Sequence, residues 1–145
     1  MTSSKELDNI MLSLLAEQRR KINDISSGSL LANGEKIAMY NSLIDYIELN
    51  YSSIEIYTPA TLRKATHCKN DDDLYQVVQY FSGGYSKLFD VKYCYYQERQ
   101  QLEIRKEEFL SYIEMKIEPV DKDGVQIEDF DPDNLSFYCV IKNGK

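Results

Sequence analysis

The sequence contains a single histidine, no tryptophan, and three cysteines that form no C-x-x-C pair. Each shortage removes a class of chemistry. A zinc centre needs about four ligands at recognisable spacing, and His67 beside Cys68 has no second pair to join it. No metal is expected. One histidine without a G-x-S-x-G or similar nucleophile signature gives histidine-based catalysis little to work with, so neither an enzyme nor a cofactor is expected. Glycine-rich phosphate loops are missing too, and Gly83-Gly84 alone reads as a helix terminator. The odd number and wide spacing of Cys68, Cys94 and Cys139 suit reduced thiols and a cytoplasmic setting better than a disulfide framework. The longest apolar stretch, around residues 10–16, falls far short of the roughly 20 residues that span a bilayer. With a polar MTSSKELDN start, neither a signal peptide nor a membrane helix is expected.

What is present fits one ordinary globular domain with extensions. A chain of 145 residues, 43% hydrophobic and 28% charged, is large enough to bury a real core without staples, so neither disorder nor a fibrous class is indicated. The net charge of −7 is unevenly spread: residues 1–34 are neutral, 35–105 carry −2, and 106–145 carry −5. Such a chain has no general attraction for phosphate polyanions, and nucleic-acid contact would have to come from a local basic patch.

Helical periodicity opens the chain. Leu7, Met11, Leu14, Leu15, Ile22 and Ile25 form one apolar stripe, interrupted by Gln18, before Ser-Ser-Gly at 26–28 and Asn-Gly at 33–34 end the helix in a linker. A second helix from Glu35 to about Tyr51 repeats the pattern with Ile37, Tyr40, Leu43, Ile44 and Ile47. Ile54 to Tyr57 alternates as a short strand. Thr58 then caps a helix with Pro59 at its first position, and Asn70 caps another that opens on Asp71-Asp72-Asp73, where carboxylates suit the positive helix end. Leu74, Val77, Val78 and Phe81 define that helix's buried face. Leu88 to Tyr96 alternates as a strand, Gln97 to Gln101 makes a hairpin tip, and a return strand starts at Leu102.

This order of helix, strand, helix pair, glycine break and hairpin over residues 35–105 resembles the winged-helix superfamily. Downstream, residues 106–114 read as a short helix, and 115–120, 125–130 and 135–142 as three strands of an antiparallel meander, with Pro119 favouring an edge. The expected fold is α+β: an amphipathic helix and linker over 1–34, a winged-helix-like core over 35–105, and a helix-plus-strand extension over 106–145 packed on the same domain.

The resemblance implies that the second helix of the pair, 71–81, is a contact surface. Tyr75, Gln76, Gln79 and Tyr80 are expected on its solvent face. In DNA-binding members this helix enters the major groove, where glutamine pairs bidentately with adenine. Gln76 and Gln79 would read bases, and Arg63, Lys64, Lys69 and Arg99 would meet phosphates. Asp71, Asp72 and Asp73 sit at the end that would face the phosphates and disfavour DNA. Twelve tyrosines and no tryptophan point instead to a protein interface, with Tyr75, Tyr80 and Tyr96 in the contact, unless most of them are half-buried framework residues. The three aspartates cannot converge on one ion, since neighbouring helical side chains diverge by about 100°. Among the acidic residues of the tail, Gly124 follows Asp121 too closely for a calcium loop, and turn chemistry accounts for them.

The expectation is a non-enzymatic interaction module that docks as an accessory subunit on a larger assembly. Leu7, Met11, Leu14, Leu15 and Ile22 offer a homodimer interface if they do not pack on the domain itself. The alternatives are a small dimeric DNA-binding transcriptional regulator and an acidic inhibitor mimicking DNA, of the kind phages use, which would fit a phage or mobile-element origin.

Overall fold

The amino-terminal stripe does form a helix. In the structure, a computed structural model describing residues 4–28 and 34–142, α1 runs Ser4–Gly28 and α2 runs Gly34–Asn50. Of the linker expected over 26–34, residues 26–28 belong to α1 and Gly34 to α2, and 29–33 lie outside the described residues. Ser26 and Ser27 do not stop α1: the Ser27 hydroxyl donates to the Asn23 carbonyl at 2.8 Å, a local bond that lets serine stay in a helix. α2 runs back along α1. The Tyr51 hydroxyl donates to Asp8 at 2.7 Å at one end, and Arg19 reaches Asp45 at 2.8 Å further along.

Short-range signals set the next pair. In α3 (Pro59–Thr66) the Thr58 hydroxyl accepts from the Thr61 amide, and Pro59 fills the first turn. In α4 (Asp71–Ser82) the Asn70 side chain accepts from the Asp73 amide at 2.8 Å. His67 ends α3 in the left-handed conformation, φ 58, its amide donating to the Arg63 carbonyl. That region disfavours side chains with a Cβ. His67→Gly is therefore expected to stabilise the protein by about 0.5–1 kcal/mol, read as a higher midpoint in urea; a lower midpoint would show that the imidazole itself matters.

The strand expected at Ile54–Tyr57 contracts to a single bridge. The Ile54 amide is already bonded to Asn50, and Thr58 is needed as a cap, so only Tyr57 exchanges hydrogen bonds with Cys139, at 2.8 and 2.9 Å. Beyond the glycines come β1 (Phe89–Gln97), β2 (Gln100–Ile104), α5 (Lys106–Met115) and β3 (Leu135–Ile141). β1 lies between β2 and β3 in an antiparallel sheet, pairing Tyr95 with Leu102 on one side and Tyr93 with Phe137 on the other.

Of the three carboxy-terminal strands only the last forms. Residues 115–120 and 125–130 meet in one bridge, Val120 with Gln126. The backbone groups a ladder needs are captured by side chains. The Asp121 carboxylate accepts from the Asp123 and Val125 amides, and the Val120 amide donates to Glu108 at 3.1 Å. Asp131 likewise accepts from the Asp133 amide at 3.0 Å. These tail carboxylates build turns.

The fold is α+β, with helices packed on one face of the sheet. Leu43, Ile44 and Ile47 of α2, Leu74, Val77 and Phe81 of α4, and Phe89 of β1 are buried together with Tyr57. Among the described residues, no helix is long and apolar enough to cross a membrane.

Candidate interaction surface

The outward face of α4 is what a partner of the helix pair would meet. Gln76 and Gln79 are exposed, one helical turn apart, with Asp72 one turn before Gln76. Tyr75 and Tyr80, expected beside them, turn inward instead. The Tyr75 ring packs against Phe109 and Phe137 at 6.4 and 6.0 Å. Tyr80 stacks on Tyr40 at 4.2 Å, its hydroxyl is buried without a protein partner, and burial pushes that hydroxyl up to about 12. Both tyrosines sit at the edges of the helical stripe, where α5, β3 and α2 close over them. Both rings are half-buried and packed on the aromatic core, so each turns only part of its surface outward.

The cations around this face are few and partly engaged. Arg63 is bound to Asp71 at 3.0 Å, across the turn between α3 and α4. Lys64 and Lys69 are exposed on α3 and the turn, and Arg99 is exposed at the β1–β2 turn beside Glu98, whose φ is 47. Tyr96 is exposed too, but it alternates with the buried Tyr95 and so belongs to the sheet face turned away from the helices. Its hydroxyl is pushed up to about 12 by the Cys94 thiol beside it and by burial. The structure thus joins Gln76 to Gln79 and leaves Tyr96 on a different surface.

The stripe on α1 is divided. Leu15 and Ile22 are buried against the chain's own core, so they are not available to a second copy. The same half of α1 is held by Gln18, bonded twice to Ser86, and by Lys21, which donates to the Tyr85 carbonyl at 2.9 Å and lies 5.6 Å from the Tyr85 ring centre. Met11 and Leu14 are half-buried and Leu7 is exposed. Ile10, three residues after Leu7 and four before Leu14, is exposed on the flank of that stripe, and Leu12 is exposed off it. Ile10 beside Leu7 and Leu14 was the sequence signal for an apolar face wider than the core covers near the amino terminus.

A recess of about 720 Å³ opens over the outer sheet face between Lys92, Glu103, Arg105 and Tyr138. It carries both signs of charge. Among the described residues, no three His, Cys, Asp or Glu side chains are grouped to hold a metal. All three cysteines are free thiols, Cys94 and Cys139 buried and Cys68 partly so. Burial raises the Cys94 thiol and pushes Cys139 up to about 12. Because it is the accessible thiolate that attacks the disulfide of Ellman's reagent, native protein at about pH 8 should lose only the partly exposed Cys68 rapidly. Cys94 and Cys139 should react after denaturation, and rapid native labelling of either would contradict its burial.

Compared with known proteins, the chain matches no family model, no curated protein and no solved structure. A reading of its function therefore rests on the chemistry of its own surfaces.

Proposed function

We propose that the chain is a non-enzymatic protein-interaction module with a winged-helix-like core, an accessory subunit docking on a larger assembly. One observation carries this reading. The outward face of α4 offers a carboxylate and two amides, Asp72, Gln76 and Gln79, while the guanidinium nearest its amino-terminal end, Arg63, is already paired with Asp71. DNA binding draws its affinity from cations free to displace counterions from phosphates, and this end of α4 presents three aspartates instead. The order of α2, α3, α4, β1 and β2, with a tight turn between α3 and α4, supports the winged-helix likeness; β3 would be an addition to it. Three free thiols favour a reducing compartment such as the cytoplasm.

The DNA-binding regulator stays the second reading because Gln76 and Gln79 are exposed at a spacing that suits bases in the major groove. A gel-shift of the full chain with mixed-sequence duplex DNA separates the two. No complex at low salt is the expected result. A complex whose affinity falls steeply with added salt, and falls again in Arg99→Ala or Lys69→Ala, would replace the interaction module with the regulator.

A further inference from the structure

The first turns of α1 leave an apolar groove that the fold does not fill. Leu7 and Ile10 are 55% and 56% exposed, and with Met11 and Leu14 they form a row at helical spacing along α1. The far wall is Ile54, just past the end of α2, and the floor is the end of β3 at Val140. The groove holds about 760 Å³. It is open because α2 ends at Asn50, and the Tyr51–Asp8 hydrogen bond is the tie that draws the two helices together there.

Charge selects the occupant. Among the described residues, the groove lining includes two carboxylates, Asp8 and Glu55, and no basic side chain. A second copy docking patch to patch would set this acidic rim against itself, and an anionic membrane surface would be repelled by it. We propose that the groove binds an amphipathic helix of a protein partner, with an apolar stripe against Leu7 and Ile10 and flanking lysine or arginine side chains near Asp8 and Glu55. A row at helical spacing on one wall suits a helix laid alongside it. This surface is separate from the α4 face, so either can fail without the other.

The test titrates isotope-labelled full chain with a synthetic leucine–lysine peptide of about 18 residues, five helical turns with the leucines on one face. Its counterpart with glutamate in place of lysine is the charge control. Amide shifts should concentrate at Leu7, Ile10, Leu14, Ile54 and Val140, with the glutamate peptide about tenfold weaker or worse. Ile10→Lys should weaken the lysine peptide by about tenfold without lowering the melting temperature, because the side chain is already more than half exposed. Glu55→Lys should weaken it as well, and a Gln76→Ala/Gln79→Ala variant should bind it unchanged. Equal affinity for the two peptides, shifts centred elsewhere, or indifference to Ile10→Lys would overturn the proposal. So would sedimentation showing a dimer that Ile10→Lys dissociates, since that makes the occupant a second copy.

Discussion

Gln18→Leu is expected to destabilise the protein by about 2–4 kcal/mol, although it repairs an interruption in an apolar stripe. Gln18 is 1% exposed and Ser86 2%. The glutamine amide donates to the Ser86 carbonyl at 2.9 Å, and its oxygen accepts from the Ser86 hydroxyl at 2.6 Å. Leucine fills similar space but leaves a buried hydroxyl and a buried carbonyl without partners, and each such loss costs about 1–3 kcal/mol. The gain from burying an apolar side chain offsets part of this. The double variant Gln18→Leu/Ser86→Ala should recover part of the loss, because it removes the stranded hydroxyl while the carbonyl stays unpaired. Urea midpoints of the parent, Gln18→Leu and the double variant measure both effects. A Gln18→Leu protein as stable as the parent would mean that the pair contributes nothing net.

Gln18 also marks where sequence reasoning stops. The interruption was visible in the stripe, but its partner lies 68 residues away in the loop before β1, and no local pattern points there. What was legible was what local chemistry dictates. The ends of α3 and α4 follow from Thr58, Pro59 and Asn70, whose side chains or ring act within one turn. The sheet face of β1 follows from alternation, Phe89 and Tyr95 in, Lys92 and Tyr96 out, with Cys94 the exception, buried on the outer face. Tyr75 and Tyr80 were misplaced because a helical wheel gives direction but not depth. Both stand at the stripe's margin, and they are covered by Phe109, Phe137 and Tyr40 from elements the wheel does not see. The tail failed differently. Residues 115–120 and 125–130 alternate as strands do, yet Asp121 and Glu108 take the amides that a ladder would use. For the candidate surfaces, the α4 glutamines were readable, whereas the α1 groove depends on where α2 ends and β3 passes.

Removing residues 1–28 is expected to abolish cooperative folding, which separates a helix built into the domain from a detachable dimerisation arm. α1 contributes Leu15 and Ile22 to the core, both 1% exposed. Burying each is worth about 1.5–3 kcal/mol, so these two side chains alone account for about 3–6 kcal/mol. The Gln18–Ser86 pair adds to that, and Arg19 links α1 to Asp45 and Glu48 of α2 through exposed ion pairs that contribute little. Without α1, the apolar face that α2 turns toward it is opened to water. A total stability of about 5–15 kcal/mol is the usual margin for a domain, so the loss approaches or exceeds it. The truncated chain should show no sigmoidal transition in a circular-dichroism melt and should aggregate at concentrations where the parent stays dispersed. A truncated chain that melts cooperatively near the parent's midpoint would show that α1 only rests on the domain, and its whole stripe, Leu15 and Ile22 included, would then be free for a partner.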